Sequence, residues 1–218
     1  MILTNWGYKL IDSNSLVGLL SVDEFNTFTA DKFSGDERIQ PSLSSASNAV
    51  RNYCGWHVAP SLNCEIARPL HDYSFIKVRG CDMIVQLPAR YVSAVSAVII
   101  GADWDEGTQS WSGTSCRYSF DVNGLLTIYD AFPGQYDRSS LLVIRYTAGL
   151  PDSLTDALKE LIASQITHGL SNTYGINSET SGGVSVTYSQ NWMSSARANV
   201  LTDTTKEILQ PYKVGGVF

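Results

Sequence analysis

The sequence lacks the features that mark membrane and secreted proteins. No stretch approaches the roughly 20 consecutive apolar residues that a membrane-spanning helix requires. Residues 1–20 contain neither the basic segment nor the hydrophobic core of a signal peptide. The four cysteines stand at long, unequal spacings, unlike the dense disulfide framework of a small secreted domain. We therefore expect a soluble intracellular protein.

Motifs of catalysis and nucleotide binding are missing as well. The chain contains no G-x-S-x-G, no G-x-x-x-x-G-K-[ST], no G-x-G-x-x-G and no H-E-x-x-H. A zinc site could be written from Cys54, His57, Cys64 and His71, but these residues lack the paired spacing of known zinc motifs. We expect no enzymatic activity, no metal and no cofactor.

Positive charge is scarce and dispersed. The net charge is -6, and no cluster of lysine or arginine offers a grip on a polyphosphate. The charge of the chain therefore argues against a nucleic-acid-binding surface.

Two helices are predicted before residue 55. Ser21-Val22-Asp23-Glu24 is a capping box, which predicts a helix of about ten residues with Val22, Phe25 and Phe28 on one face. Apolar residues then recur at spacings of three and four from Ile39 to Tyr53, the stripe of a helix that ends at Gly55. Because Pro41 falls early in it, either its first turn is irregular or it starts near Gln40.

Residues 64–147 change to the two-residue period of strands and are rich in valine, isoleucine and tyrosine. The candidate strands are Cys64–Arg68, Ser74–Val78, Met83–Leu87, Val95–Ile100, Arg117–Val122, Leu125–Tyr129 and Leu141–Tyr146. Asn123-Gly124 predicts a two-residue type I′ hairpin turn. The polar, glycine-rich stretch from Gly101 to Gly113 predicts a projecting loop.

The helical period returns after Gly149-Leu150-Pro151 and predicts a helix from Asp152 or Ser153 to about Leu170. Ser171 to Gly183 is too polar to bury a core and is expected to be a mobile loop. A short strand at Val184–Tyr188 follows, and a last helix, capped by Thr202 or Asp203, stops at Pro211.

This order predicts an α+β fold in which a small helical-bundle scaffold carries an inserted antiparallel β domain and ends in an extended C-terminal tail. The expected parts are an N-terminal helical part at 1–60, the β domain at 61–148, and residues 149–218, whose helix, strand and last helix pack with the N-terminal helices.

Three tryptophans stand in polar surroundings, namely Trp104, Trp111 and Trp192. Aromatic residues in polar loops are favoured anchors at protein interfaces, so all three are interface candidates. Packing back onto their own domain is an equally good interpretation. The carboxylates of Asp103, Asp105 and Glu106 lack the register of a calcium loop and indicate a solvated loop tip.

Three stretches, in this order, resemble the head-to-tail adaptor proteins (head completion or head-tail connector proteins) of long-tailed double-stranded DNA phages. The first is the helix end Ala49-Val50-Arg51-Asn52-Tyr53-Cys54-Gly55-Trp56. The second runs from Gln86-Leu87-Pro88 to Val143-Ile144-Arg145-Tyr146-Thr147-Ala148-Gly149-Leu150-Pro151. The third joins Gly183-Val184-Ser185-Val186-Thr187-Tyr188 to Ile208-Leu209-Gln210-Pro211-Tyr212-Lys213. The longer loop at 101–116 and residues 1–20 depart from the family's pattern.

The resemblance implies a structural virion protein of the head-tail neck, assembled from subunits made in the host cytoplasm. Twelve copies would form a ring between the portal and a stopper or tail-completion protein, and double-stranded DNA would pass through without specific binding. The implied portal contacts lie in the tail, at Leu209, Pro211, Tyr212, Val217 and Phe218. The alternative is a carbohydrate- or ligand-binding β module of a virion fibre or baseplate, with Trp104 and Trp111 as its platform.

Overall fold

The chain folds into two compact units in the computed structural model. The described residues are 2–11, 16–106, 110–131, 134, 136–137, 139–171, 178–181, 184–187 and 201–214. One unit, called the β unit below, comprises Met1–Leu16, Gly55–Pro151 and Lys213–Phe218. The other, called the helical unit, comprises Val17–Cys54 and Asp152–Tyr212.

The strands, in chain order, are β1 (Ile2–Leu3), β2 (Lys9–Leu10), β3 (Leu62–Pro69), β4 (Ile76–Arg79), β5 (Asp82–Gln86), β6 (Val92–Asp105), β7 (Ser110–Ser115), β8 (Tyr118–Phe120), β9 (Leu125–Ile128), β10 (Leu141–Ala148), β11 (Ser178–Ser181) and β12 (Val184–Thr187). The helices are α1 (Val22–Phe28), α2 (Ile39–Cys54), α3 (Asp152–Ser171) and α4 (Asp203–Leu209), and a 3₁₀ turn follows at Gln210–Tyr212.

The larger sheet of the β unit has six antiparallel strands in the order β1-β2-β3-β10-β6-β7. Successive side chains of a strand point to opposite faces, so one face carries Ile66, Ile144 and Tyr146, all of them buried. On the other face Glu65 lies opposite Arg145, and their side chains form a 2.8 Å ion pair. The sheet therefore has one apolar face and one face with paired charge.

The smaller sheet has four antiparallel strands in the order β4-β5-β9-β8. Its core face is lined by Ile76, Met83, Val85, Leu126 and Ile128, each at most 1% exposed. This alternation of buried apolar and outward polar residues is the two-residue period read from the sequence.

The predicted hairpin at Asn123-Gly124 is confirmed, because β8 pairs with β9 across it. The predicted type I′ turn is wrong. Of the two residues only Gly124 has positive φ, at 83°, whereas a type I′ turn needs it at both. The Gly124 amide donates to the Asp121 carbonyl and the Asp121 amide to the Leu125 carbonyl, each at 3.0 Å. The loop is one residue longer than predicted and closes on the left-handed Gly124.

The helical unit confirms the predicted helices, with α1 shorter than expected. The Ser21 hydroxyl accepts a hydrogen bond from the Glu24 amide, and the Glu24 carboxylate accepts one from the Ser21 amide, which is the predicted capping box. Glu24 also forms a 2.6 Å ion pair with Lys159 of α3. Phe25 is fully buried, but Phe28 is 49% exposed, so α1 buries less of its apolar face than the sequence indicated.

The expected helical-bundle scaffold with an inserted β domain is wrong. In the described part of the chain strands dominate, and α1 and α4 have only seven residues each. The residues ahead of Ser21, for which the sequence predicted no element, supply β1 and β2 to the larger sheet. The physical reason is that the two sheets bury an extensive core of their own, so they constitute the main body of the fold.

The capping box yields a prediction about pH and stability. The hydrogen bond from Lys159, followed by that from the Ser21 amide, lowers the pKa of Glu24 from 4.5 to about 2. A carboxylate with a depressed pKa stabilises the fold above its ordinary pKa, and this contribution is lost as the pH falls through the folded-state value. We expect Glu24→Gln to lower the free energy of unfolding at neutral pH by about 1 kcal/mol.

The measurement is urea unfolding of both proteins between pH 7 and pH 2, where the difference should shrink below pH 4.5. Glu160→Gln, at an exposed position next to Lys159, is the matched control and should leave stability unchanged. Equal losses in the two variants would contradict a specific role for Glu24.

Candidate interaction surfaces

A buried hydrogen-bonded cluster joins three distant segments of the β unit. The Tyr8 hydroxyl lies 2.8 Å from Nδ1 of His57 and accepts a hydrogen bond from the His57 backbone amide at 3.0 Å. Nε2 of His57 lies 2.8 Å from the Ala148 carbonyl oxygen. A carbonyl only accepts, so Nε2 carries the proton and Nδ1 accepts from Tyr8. We call this cluster the Tyr8–His57–Ala148 clasp.

The backbone beside the clasp explains the Tyr146-Thr147-Ala148-Gly149-Leu150 motif. A Cβ on Gly149 would lie 2.3 Å from the Cα of Ser61, so no larger residue fits there. The next amide, of Leu150, donates to the Val58 carbonyl at 2.8 Å. The motif therefore holds the end of β10 against residues 57–61.

Three residues of the possible zinc site lie in environments that do not suit a metal. Both ring nitrogens of His57 take part in the clasp, so neither is available to a metal. The thiols of Cys54 and Cys64 are buried. Among the described residues no group of three or more histidine, cysteine, aspartate or glutamate side chains could hold a metal ion.

Trp104 and Trp111 lie opposite each other on a hairpin formed by β6 and β7. The loop predicted at 101–113 is therefore wrong, although residues 107–109 lie outside the described chain. The sequence misled because β7, Ser-Trp-Ser-Gly-Thr-Ser, is an outer strand whose mostly exposed residues need no apolar alternation. A register shift between Ile100 and Asp103 marks a β-bulge, beyond which the pairing continues.

The two indole rings are in edge-to-face contact, with centroids 5.0 Å apart and planes at 66°. They do not present one flat platform to a sugar. Trp104 is 45% exposed, whereas Trp111 is half-buried and its Nε1 atom is buried with no acceptor among the described residues. Trp104 is thus the more accessible of the two, and Trp192 lies outside the described residues.

The acidic tip of this hairpin is open to solvent. Asp103, Asp105 and Glu106 are all exposed. No lysine or arginine occurs between Ile99 and Ser115 in the sequence. The hairpin therefore presents an exposed tryptophan together with three exposed carboxylates.

Hydrogen bonds hold the helix that precedes the candidate portal contacts. The Thr202 hydroxyl caps α4 and accepts from the Thr205 amide at 3.1 Å. The Tyr53 hydroxyl of α2 donates to the carbonyl of Lys206 at 3.1 Å and to Oε1 of Gln210 at 2.9 Å. These bonds hold α4 and the turn after it against α2 within the helical unit.

The five candidate contacts have different environments. Leu209 is fully buried, so it belongs to the core of the helical unit and leaves no side chain for a partner. Pro211 is exposed and Tyr212 is half-buried. Val217 and Phe218 lie outside the described residues. Of the candidates within the described residues, Pro211 is therefore the first whose side chain is accessible.

Sequence reasoning missed the role of Tyr8, because its partner His57 is 49 residues away and no local pattern connects them. It also missed the ion pair of Glu65, only 5% exposed, with Arg145. The available signal for that pair was Arg145, the one charged residue of the mostly apolar strand β10.

Comparison with known protein families gives a match over most of the chain. The family model described as head completion protein matches residues 18–214. This confirms the resemblance found in the three motif stretches, and it leaves β1 and β2 outside the matched region. No curated protein matches the chain.

The clasp predicts that the Tyr8 hydroxyl stabilises the β unit. Tyr8→Phe would leave Nδ1 and the backbone amide of His57 without this partner inside the core. A buried polar group that loses its partner costs about 1–3 kcal/mol, so we expect a loss of that size in urea unfolding. Tyr73→Phe, which removes the same hydroxyl from a side chain that is 63% exposed, is the matched control. Identical stabilities of wild type and Tyr8→Phe would refute the clasp.

Proposed function

Because the chain belongs to the head completion protein family, we propose that it is a subunit of the ring that joins a phage portal to a stopper or tail-completion protein. Family membership makes it a structural protein of the phage virion. The observation that carries the proposal is the extent of the match, which runs from residue 18 to residue 214 and so includes most of both units.

The proposed role is geometric, and we assign no catalytic step to the chain. Each subunit would bring the same surfaces to its neighbours around the DNA path. With a net charge of -6 per copy, a ring would repel the phosphate backbone and let the duplex slide through. The charge of the chain thus supports a channel that conducts DNA without gripping it.

Portal attachment is assigned to the residues from Pro211 onward. The Tyr53 bonds to Lys206 and Gln210 fix the point from which this segment departs. Beyond it the sequence is Lys213-Val214-Gly215-Gly216-Val217-Phe218, in which two glycines precede two apolar side chains. A segment of this composition can adapt to a partner and bury Val217 and Phe218 as anchors. Leu209, a core residue, is not part of the proposed contact.

Removal of residues 213–218 tests this assignment. We expect the shortened chain to remain folded, as its unfolding transition would show, and to bind portal rings at least about tenfold more weakly, because two apolar anchors are lost. Binding is measured by co-sedimentation with purified portal of the same phage. Ile208→Ser, which changes an exposed apolar residue of α4 just before the segment, is the control and should bind normally. Unchanged affinity of the shortened chain would show that the attachment lies elsewhere.

The subunit itself should be monomeric at micromolar concentration. Subunits that accumulate in the cell before portals are available must not close into rings, so contacts between free copies have to be weak. Sedimentation velocity of the purified protein measures this directly. A stable ring in dilute solution would contradict ordered assembly on the portal.

A further inference from the structure

We propose that the half-buried Arg68 of the β unit is a receptor for a carboxylate side chain, which a neighbouring copy of the chain supplies in the ring. This inference rests on the proposed ring and names one of its contacts. It follows from the position of Arg68 on the buried face of the larger sheet, from the residues that hold its guanidinium group and from the charge of the chain.

Arg68 lies on the side of the larger sheet that forms the core. On β3 it follows Ile66 by two residues, so both side chains point to the same face. Its partner across the ladder is Leu142 of β10, and Ile66 and Leu142 are both at most 1% exposed. An arginine is seldom placed among apolar side chains without a polar partner. Its presence on this face therefore needs an explanation.

Two neighbours hold the guanidinium group in place. Its Cζ atom lies 5.9 Å from the centroid of the Phe75 ring, within the range of a cation–π interaction, and Phe75 is buried. Its Nη2 atom lies against Gly7, where the Cβ of any other residue would collide with it. Gly7 also has a φ of +85°, which favours glycine. The group is therefore fixed by two separate segments and is only partly open to solvent.

The acidic residues nearest to Arg68 in the sequence are engaged elsewhere. Glu65 points to the other face of the sheet and pairs with Arg145 at 2.8 Å. The Asp72 carboxylate accepts a hydrogen bond from the Ser74 amide at 3.2 Å. In the described ranges no carboxylate forms an ion pair with Arg68, and its Nε atom is buried with no hydrogen-bond partner. Its positive charge thus lacks a counter-charge within the described part of the chain.

The chemistry of the group selects an acidic ligand. A guanidinium is a planar donor that binds a carboxylate through parallel N–H bonds. Because Phe75 and Gly7 already hold it, the side chain loses little freedom when it binds. Partial exclusion of water strengthens the attraction relative to that of a fully exposed pair. A DNA phosphate is disfavoured as the ligand, because the net charge of -6 per copy repels DNA.

The neighbouring copy has carboxylates to spare. Each copy carries 21 aspartate and glutamate residues and 15 lysine and arginine residues, so acidic side chains outnumber the basic ones that could pair with them. Copies of such a chain repel one another, and a cation at their contact offsets part of this repulsion. Because Arg68 and its ligand are different surfaces, the contact is heterologous and repeats around a ring. The next copy is therefore the assigned source of the carboxylate.

Titration of the unmodified protein with sodium acetate tests the receptor without the ring. The readout is the ¹H–¹⁵N signal of the Arg68 guanidinium, identified by its loss in Arg68→Lys. We expect a saturable shift with half-saturation at roughly 10–100 mM, the range of one charge-assisted pair. The signal of Arg145, which is paired with Glu65, is the internal reference and should not move. Absence of a saturable shift, or an equal shift with sodium chloride, would overturn the receptor.

The filling of portal rings tests the source. Native mass spectrometry of portal mixed with a limiting amount of the protein counts the copies on each portal. Attraction between neighbours makes filling cooperative, so the wild type should give mainly empty and complete rings. Arg68→Gln should lower the cooperativity between adjacent sites roughly tenfold and leave the affinity of the first copy unchanged. Arg68→Lys, which keeps the charge without the planar fork, should show a smaller effect of the same sign.

Arg79→Gln removes the same charge at an exposed position of the β unit and should fill portals as the wild type does, and melting curves show that each variant is folded. Non-cooperative filling by the wild type, or unchanged filling by Arg68→Gln, would overturn the neighbour contact. Weaker binding of the first copy with unchanged cooperativity would assign the carboxylate to the portal and overturn the neighbour as its source.

Retention of a DNA duplex by the wild type and not by Arg68→Gln would assign the site to phosphate and overturn the carboxylate. Failure of the unmodified chain to bind portals would refute the ring and, with it, the neighbour as the source. The acetate titration needs no portal, so failure of the proposed function and failure of the receptor are distinguishable.

Discussion

Strand β10 is the constraint on which the β unit depends. Each of its eight residues, Leu141 to Ala148, has a partner in β3 on one side and in β6 on the other. Leu142, Ile144 and Tyr146 are at most 1% exposed, and burial of such side chains contributes about 1.5–3 kcal/mol each. At the end of the strand the Ala148 carbonyl enters the clasp and Gly149 lies against Ser61. A displacement of β10 would therefore disturb the larger sheet, the clasp and the path of the chain toward α3 together.

The sequence patterns that proved reliable were those whose cause is local. The capping box at Ser21 and Glu24 depends on residues three apart, and the structure contains both of its hydrogen bonds. The apolar stripe of α2 and the alternation in β12 likewise arise within one element. The family resemblance, carried by motifs spread along the chain, was confirmed by a match over residues 18–214.

The patterns that failed depend on partners distant in the chain. β2 has two residues and exists only because β3 pairs with it, so no periodicity could reveal it. β7 and β11 are polar, and their residues become strands by pairing with β6 and β12. These additions shifted the balance from helices to sheets and made the predicted bundle scaffold wrong. At the candidate surfaces, the tryptophans were found from the sequence, but their pairing across a hairpin and the burial of Leu209 required the fold.

The central claim is that this virion protein forms a ring on the portal. A buried sheet core, an anionic chain and a segment beyond Tyr212 with apolar residues suit such a subunit. Electron microscopy of negatively stained portal from the same phage, mixed with an excess of the protein, tests the claim most directly. The account predicts a second ring, coaxial with the portal and absent from portal alone. Portal particles of unchanged outline at saturating protein would contradict it.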